Sequence, residues 1–405
     1  MSYLLESALS APSGLWVTII NWIQGAVTNY GWTILLFTLL VKFVMSPLDF
    51  MVRYSTKKQT LIQKKCAPEI AKLQKKYGAD QNTVKVQTQS LYKREGLNPG
   101  VGCIVMLVNM ILTIVVFFTL YSSLRQVSAY QAINQYETMA ETYSTTFTNN
   151  LIGDGGFENE EEAIVWYNGL TSEKVQAWQK DVASDGDTPI EESEEYEDYK
   201  IFMHAHKPAV EAVHAKWHEI KDSWLWIDNL WVADSNVRPF PDYSSLKSLA
   251  SNGGYSKYVK DNIDENSYNA IYTIVKDTSR SNNGYFILAI LAGALTFLSQ
   301  WLSELSNGLK NKRANKLANA SEKMANGGGA MKIMKIVMPI IMIIFVLTSG
   351  SSFGIYILSS SLASIVIGQI CAIIINAVTK KKRIEVEEYL EKEANRLIKK
   401  GKMKG

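Results

Sequence analysis

Five apolar stretches constrain this 405-residue chain more than any other feature. Each is close to the roughly 20 residues with which a helix crosses a hydrocarbon core about 30 Å thick. A soluble protein could bury one such helix, but five of them, with charges almost confined to the connections, indicate an integral membrane protein. The stretches are residues 31–50, 103–123, 284–303, 334–350 and 354–377.

The charges of the connecting segments predict the side of the membrane on which each segment lies. Residues 51–100 carry 11 Lys and Arg against 3 Asp and Glu, residues 305–335 carry 7 against 1, and residues 379–405 carry 10 against 5. Residues 124–283 show the opposite balance, with 13 against 27. Because short basic loops resist translocation, we expect the three basic segments in the cytoplasm and the acidic segment outside.

This alternation predicts five consecutive regions in an all-α membrane protein with five transmembrane helices. An extracytoplasmic N-terminus with an interfacial helix, residues 1–30, precedes the first two spans in residues 31–123. A large, acidic, mainly helical extracytoplasmic domain follows in residues 124–283. Residues 284–378 hold the last three spans, and residues 379–405 form a basic cytoplasmic tail.

The N-terminal region predicts a helix that lies in the membrane interface. Residues 14–27 are apolar but too short to span, and Trp16, Ile19 and Ile23 recur at helical spacing. Residues 1–10 lack the basic and apolar parts of a cleavable signal. Since no organellar targeting pattern is found either, we expect a multi-pass protein of the bacterial plasma (inner) membrane, with its N-terminus outside and its C-terminus in the cytoplasm.

The first basic loop predicts a cytoplasmic hairpin of two helices over residues 52–98. Its first helix would begin at Pro68 and stop at Gly78, an arrangement with proline first and glycine last. Its second helix would end at Gly96, just before the second span. A solvated basic loop with no role beyond topology is the alternative.

All four histidines lie in the acidic segment, within residues 204–219. His214 and His218 are four residues apart, a spacing that places both on one face of a helix and can hold zinc. No Glu follows His214 as an HExxH motif requires, and Pro208 is expected to interrupt any helix that starts at His204. An exposed polar helix is the ordinary alternative to a membrane-anchored metalloenzyme.

One cation stands in the middle of the first apolar stretch. Lys42 lies about midway between Gly31 and Arg53, so its ammonium group cannot easily reach either membrane surface. A mid-membrane Lys costs roughly 2.5–3.5 kcal/mol on insertion scales and usually faces a protein interior or a wet cavity. Thr38 and Ser46 lie one turn on either side of Lys42, which makes one polar stripe along the helix.

Polar residues in three other apolar stretches match this stripe, while acidic residues are nearly absent at its depth. No buried ion pair is therefore expected for Lys42. We predict a hydrophilic groove in which the Lys42 ammonium faces water; a lysine that serves packing alone is the alternative. The predicted groove residues are Thr38, Lys42, Ser46, Asn109, Thr113, Gln300 and Ser360.

Motifs occur in a fixed order over about 215 residues of the chain. Lys42 in the first stretch is followed by Met45-Ser46-Pro47-Leu48, by the predicted hairpin and by Asn98-Pro99-Gly100-Val101-Gly102-Cys103. Residues 223–234 then precede the apolar stretches of residues 285–303 and 334–369. This order resembles the YidC/Oxa family of membrane protein insertases. That family commonly has Arg where Lys42 stands and Gln where Asn109 stands, and Lys offers a point charge rather than a bidentate fork.

The resemblance implies an insertase and chaperone for newly made membrane proteins, which works through the groove without nucleotide hydrolysis, metal or other cofactor and is not an enzyme. Its partners would be the lipid bilayer and nascent membrane proteins with acidic or polar extracytoplasmic tails, attracted by Lys42. A ribosome at the basic tail and a Sec translocon are further candidates. Residues 128–222 and 236–283 look like insertions whose role the resemblance does not give. A channel or secondary transporter is the other alternative, although the internal repeats typical of transporters are not found.

Overall fold

The computed structural model describes residues 9–78, 80–97, 99–153, 156–170, 172–181, 194–307, 309, 311–326 and 330–399. Within these residues the chain forms helices and no β-strand, apart from one isolated bridge between Trp224 and Ile227. This confirms the prediction of an all-α protein.

The helices of the described residues are, in chain order, α1 (Leu15–Gln24), α2 (Tyr30–Tyr77), α3 (Gln81–Arg94), α4 (Pro99–Ile152), α5 (Glu160–Gly169), α6 (Ser172–Asp181), α7 (Glu194–Ile220), α8 (Tyr243–Gly253), α9 (Ser256–Asn262), α10 (Glu265–Lys276), α11 (Ile287–Asn307), α12 (Lys312–Asn326), α13 (Ala330–Leu347), α14 (Ser351–Val378) and α15 (Lys380–Lys399).

The chain divides into two compact units. The first unit contains the residues up to Ile34, Leu120–Ala289 and Val346–Ile355, and the second contains Leu35–Thr119, Ile290–Phe345 and the residues from Tyr356 onward.

Three helices of the described residues are long and apolar enough to cross a membrane: α2, α4 from Leu107 onward, and α14. A helix also occupies each of the other two predicted spans, where α11 and α13 are apolar over the shorter stretches Ile287–Ser303 and Val337–Leu347. Five crossings, and the side of the membrane on which each connection lies, remain predictions.

Helix α2 runs without interruption through Pro47 and Pro68, so the prediction that a helix begins at Pro68 is wrong. A proline inside a helix removes one backbone hydrogen bond and costs about 3 kcal/mol. The cost is offset at Pro68 because Cys66, Ala67 and Ile70 are buried on both sides of it.

The turn of the predicted hairpin nevertheless lies where the sequence predicts it, since α2 ends at Tyr77 and α3 begins at Gln81. The backbone N–H of Asp80 donates to the carbonyl of Tyr77 at 2.8 Å. The Asp80 carboxylate then accepts hydrogen bonds from the N–H groups of Asn82 and Thr83, at 3.1 and 3.0 Å, and so caps α3. An N-cap residue of this kind ends the turn and fixes where the second helix of the hairpin begins.

The C-terminal helix α15 packs on this hairpin within the second unit. Leu390 of α15 is buried in one apolar cluster with Leu61 of α2 and Leu317 of α12. Lys72 of α2 forms an ion pair with Glu393 of α15 at 2.6 Å. The region predicted as a basic tail is therefore held to the hairpin by its acidic and apolar residues.

The first unit has an aromatic core built on α4, α7 and α10. Tyr143, Phe202, Trp217 and Tyr268 are almost completely buried in it. Helix α7 continues through Pro208, so the prediction that this proline interrupts the helix is wrong. The apolar face of α7 is covered by the core, and burial of that face offsets the one backbone hydrogen bond that proline removes.

A buried asparagine joins the tryptophan segment, residues 223–234, to the start of α11. The Asn283 amide nitrogen donates to the carbonyls of Asn229 and Val232, at 2.8 and 3.0 Å. The Asn283 side-chain oxygen accepts the N–H of Asn229 at 2.7 Å. Both ends of the Asn283 amide are thus satisfied although the side chain is fully buried.

The same segment caps two of the predicted spans. The carboxylate of Asp234 accepts hydrogen bonds from the N–H groups of Tyr285 and Leu288, at 2.8 and 2.6 Å, at the N-terminus of α11. The carbonyl of Val232 accepts the Ser351 hydroxyl at 2.6 Å at the start of α14. We refer to Asn229, Val232, Asp234, Asn283 and Ser351 as the Asn283 network.

Candidate functional site

A polar cavity of about 400 Å³ lies in the second unit between α2, α4, α11, α13 and α14, and we refer to it as the groove cavity. It is lined by hydroxyl, amide and charged side chains as well as by apolar ones. The polar residues that line it are Lys42, Asp49, Arg53, Asn109, Thr113, Thr296, Ser299, Gln300, Tyr356, Ser360, Ser361 and Ser364.

Five of the seven predicted groove residues line this one cavity. They are Lys42, Asn109, Thr113, Gln300 and Ser360, and they come from four different helices. Thr113 and Gln300 present polar groups to the same space although nearly 190 residues separate them in the chain. Proximity of this kind follows from helix packing and cannot be read from any local pattern.

Thr38 and Ser46 are not among the lining residues. Thr38 is fully buried, and the Ser46 hydroxyl donates to the carbonyl of Phe43 in its own helix at 2.8 Å. Ser and Thr side chains in a helix commonly bond back to the preceding turn, which satisfies the hydroxyl without a cavity. A role for these two residues in substrate contact stays a prediction.

Lys42 is half-buried, and its ammonium group forms no hydrogen bond or ion pair with any residue that the structure describes. Asp49 and Arg53 are the charged groups close enough to interact with it electrostatically. The Asp49 carboxylate attracts the ammonium group more strongly than the Arg53 guanidinium repels it. Lys42 therefore has a free cationic end in a polar cavity, where water or a carboxylate could solvate it.

Asn109 brings an acceptor without a partner in the described residues to the lining of the same cavity. Its side-chain oxygen is buried and has no hydrogen-bond partner in the described part of the chain. A buried polar atom without a partner costs about 1–3 kcal/mol. Since Asn109 also lines the groove cavity, its oxygen is placed to accept an N–H or O–H group from whatever occupies that space.

Several lining residues are not among the predicted groove residues, and Arg53 is the most informative of them. Arg53 follows Lys42 by eleven residues, and three turns of an α-helix bring such a residue back to nearly the same face. Asp49 lies between them on that face. The spacing was available in the sequence, but the first apolar stretch was predicted to end at residue 50, which put Arg53 in the cytoplasmic hairpin.

The histidines of the first unit are not gathered into one site. The Nε2 atom of His214 lies 3.1 Å from the carbonyl oxygen of Ile274, and His218 is exposed. His206 is buried and its Nδ1 lies 2.7 Å from the Tyr143 hydroxyl. Within the described ranges, no group of three or more His, Cys, Asp or Glu side chains is placed to hold a metal ion.

Comparison with known proteins finds one family model and several relatives that match part of the chain. Residues 22–173 match the family model described as 60Kd inner membrane protein. The membrane protein insertase YidC of Wolinella succinogenes is 31% identical over 106 residues, which is 26% of this chain and 19% of the relative. That of Anaeromyxobacter dehalogenans is 34% identical over 107 residues, covering 26% and 18%. That of Helicobacter pylori is 33% identical over 103 residues, covering 25% and 17%. No solved structure matches.

These matches confirm the family resemblance that the sequence predicts, and the family model covers a segment that contains Lys42 and Asn109. In each of these three cases the matched segment spans less than a fifth of the relative. Taken with the three apolar helices long enough to cross a membrane, the matches support a multi-pass protein of the bacterial inner membrane.

Proposed function

We propose that this chain, whose residues 22–173 match the YidC/Oxa family, is a membrane protein insertase that works through the groove cavity. The observation that carries the proposal is the Lys42 ammonium, which faces a polar cavity without a partner among the described residues. A cation placed in an apolar stretch at such a cost is expected to have a functional role. The role that fits is attraction of a negatively charged segment on its way through the membrane.

The proposed mechanism rests on the cost of dehydration. Moving a hydrophilic tail across a bilayer costs free energy, mainly because its polar groups leave water. A hydrated cavity that reaches part of the way shortens the dry path. Lys42 adds Coulomb attraction for a carboxylate on the tail, and this attraction is stronger where the effective dielectric constant is low.

No nucleotide is needed in this mechanism. The apolar part of the substrate moves from the cavity into lipid, which is favourable by itself. A cell interior at negative potential also favours outward movement of an acidic tail, by about 2.3 kcal/mol per charge per 100 mV. Lys42 and the amide and hydroxyl groups around it hold the tail weakly, so that the substrate can leave.

The proposed substrates are newly made membrane proteins with acidic or polar tails that end outside the cell. The proposed orientation puts the N-terminus and residues 124–283 outside and the hairpin and α15 in the cytoplasm. A ribosome is a candidate partner because the tail and the hairpin are basic and ribosomal RNA is anionic. A Sec translocon is a further candidate.

The test is insertion of a single-span substrate with an acidic tail into liposomes that contain the purified protein and no ATP. Lys42→Glu should slow insertion by about tenfold or more, because it replaces attraction by repulsion. Lys42→Arg should restore most of the rate. Lys58→Glu is the matched control, since Lys58 is an exposed cation of the same helix outside the cavity.

Normal insertion by the Lys42→Glu variant would contradict the proposal. So would a protein that passes ions selectively across the liposome membrane but inserts no substrate, which would indicate a channel. Both variants must first reach the membrane in normal amounts, as measured by their yield in the membrane fraction.

A further inference from the structure

A second cavity in the second unit holds charges that the proposed function does not use. It has a volume of about 270 Å³ and shares Asp49, Arg53 and Asn109 with the groove cavity. Lys57 lines it as well but is only 3% exposed, so this lysine contributes positive potential more than direct contact. Arg53 is the cation of this cavity that can contact an anion directly, beside the Asp49 carboxylate.

The Arg53 guanidinium is held by close packing against α14. A Cβ atom at Gly368 would lie only 3.1–3.3 Å from three guanidinium atoms of Arg53. The absence of a side chain at Gly368 thus leaves the room in which the guanidinium sits. No ion pair joins Arg53 to a carboxylate within the part of the chain that the structure describes.

The open groups beside Arg53 match an acidic residue of a peptide. A guanidinium binds a carboxylate by two parallel hydrogen bonds. The unpaired oxygen of Asn109, which lines the same cavity, needs a donor, and a peptide backbone supplies N–H groups. An anion without a donor, such as sulfate, would meet the first requirement but not the second.

Arg53 and Lys42 stand at a defined spacing. Eleven residues of α-helix correspond to about 16 Å along the axis and to a rotation of only about 20°. Both side chains line the groove cavity, in agreement with a common face. An extended peptide advances about 3.3 Å per residue, so about five residues of it span this distance.

We propose that Arg53 is a second carboxylate-binding position, which makes the protein selective for tails that carry two acidic residues about five positions apart. One acidic residue binds Lys42 while the other binds Arg53. This inference rests on the proposed function and adds to it a preference for charge spacing in the substrate.

The experiment uses the full chain in phosphatidylcholine liposomes and a series of single-span substrates. Their tails carry no acidic residue, one, or two that are separated by two, five or eight positions. The wild-type protein should insert the tail with a spacing of five about tenfold faster than the tail with one acid. Spacings of two and eight should give rates close to that of one acid.

Arg53→Gln should abolish the preference for a spacing of five and keep the preference for one acid over none, which depends on Lys42. Arg53→Lys should retain part of the spacing preference. Lys58→Gln is the matched control and should behave as the wild type in every arm, because Lys58 is exposed on the same helix and lines neither cavity.

Three results would overturn the inference while leaving the proposed function in place. The first is a wild-type preference for acidic over neutral tails without any effect of spacing. The second is an Arg53→Gln variant that slows the neutral tail as much as the others, which would indicate a structural role. The third is loss of the spacing effect when phosphatidylglycerol is added to the vesicles, which would assign the site to a lipid headgroup. A wild-type protein that inserts acidic and neutral tails equally would overturn both proposals.

Discussion

The Asn283 network of the first unit and the groove cavity of the second both place polar groups among apolar residues. The polar groups of the network are hydrogen-bonded, whereas the cavity contains polar groups without a partner among the described residues. Asn283 is fully buried, and both ends of its amide are bonded to backbone groups. Asn109 also has a buried side-chain oxygen, yet that oxygen has no partner among the described residues. One asparagine holds the fold together, and the other leaves an acceptor open.

The comparison teaches that residue type does not distinguish a structural polar group from a functional one. Hydrogen bonding separates these two asparagines, although other buried polar atoms without a partner in the described residues, such as Trp217 Nε1, lie in the core of the first unit. Asp234 and Lys42 show the same contrast for charges. The Asp234 carboxylate accepts two backbone N–H groups, whereas the Lys42 ammonium has no hydrogen bond or ion pair in the described ranges.

The largest expected effect comes from putting a charge into the satisfied network. Asn283→Asp turns the donating end of the amide into a carboxylate oxygen that faces the carbonyls of Asn229 and Val232. We expect a loss of about 4 kcal/mol in the free energy of unfolding, measured by urea unfolding of the full chain in detergent. Asn134→Asp makes the same change at an exposed position of the first unit and should cost little. Equal losses for the two variants would show that the network is not the source of stability inferred here.

A smaller loss in the free energy of unfolding is expected for the first unit when the pH is lowered. Burial lowers the pKa of His206 to about 4, from an ordinary value of 6.5. The unfolded chain therefore takes up a proton near pH 6.5, whereas the folded chain does so only near pH 4. Stability should be fully present above pH 6.5 and should fall by about 3 kcal/mol as the pH drops to 4.

The check is urea unfolding followed by tryptophan fluorescence between pH 7 and pH 4. His206→Gln should flatten the pH dependence, since glutamine can still bond the Tyr143 hydroxyl but does not titrate in this range. His218→Gln, at an exposed histidine of the same helix, should leave it unchanged. An unchanged slope in the His206→Gln variant would mean that another group titrates.

The smallest effect on stability, and the sharpest test of the comparison, is expected at Asn109. Asn109→Leu removes an unpaired buried acceptor, so the free energy of unfolding should stay the same or rise by about 1 kcal/mol. Insertion of an acidic-tailed substrate should nevertheless slow several-fold. Asn283→Leu, the matched change in the network, should destabilise the protein instead. If both asparagine variants lost stability alike, the distinction between open and satisfied groups would fail.

The sequence allows the helices and much of the cavity to be predicted, because apolar length and a mid-membrane cation are local signals. The free-energy cost of a cation inside an apolar stretch identifies Lys42. Gln300 and Ser360 are identified because they are polar residues in otherwise apolar stretches. The continuation of α2 through Pro68 could not be predicted, since the packing that offsets a lost hydrogen bond comes from distant residues. The docking of α15 on the hairpin was missed for the same reason.

The sequence also could not separate groove residues from satisfied ones on the same helix. Thr38 and Ser46 flank Lys42 by one turn each, yet neither lines the cavity. A hydroxyl can donate to a backbone carbonyl of its own helix, as the Ser46 hydroxyl does to Phe43. An ammonium group has three N–H donors, and the preceding turn of the helix does not provide acceptors for all of them. Long cationic side chains are therefore better sequence markers of a groove than hydroxyls.

The most direct measurement of the central claim is the chemical accessibility of position 42 in the intact membrane. The chain would carry Lys42→Cys in a background without its native cysteines and would be treated with a charged, water-soluble maleimide. Leu40→Cys, at an exposed position of the same helix that does not line the cavity, is the comparison. The account predicts fast labelling at position 42 and slow labelling at position 40. Equally slow labelling at both positions would show that the Lys42 site is dry, and it would contradict the hydrated groove on which the proposed function depends.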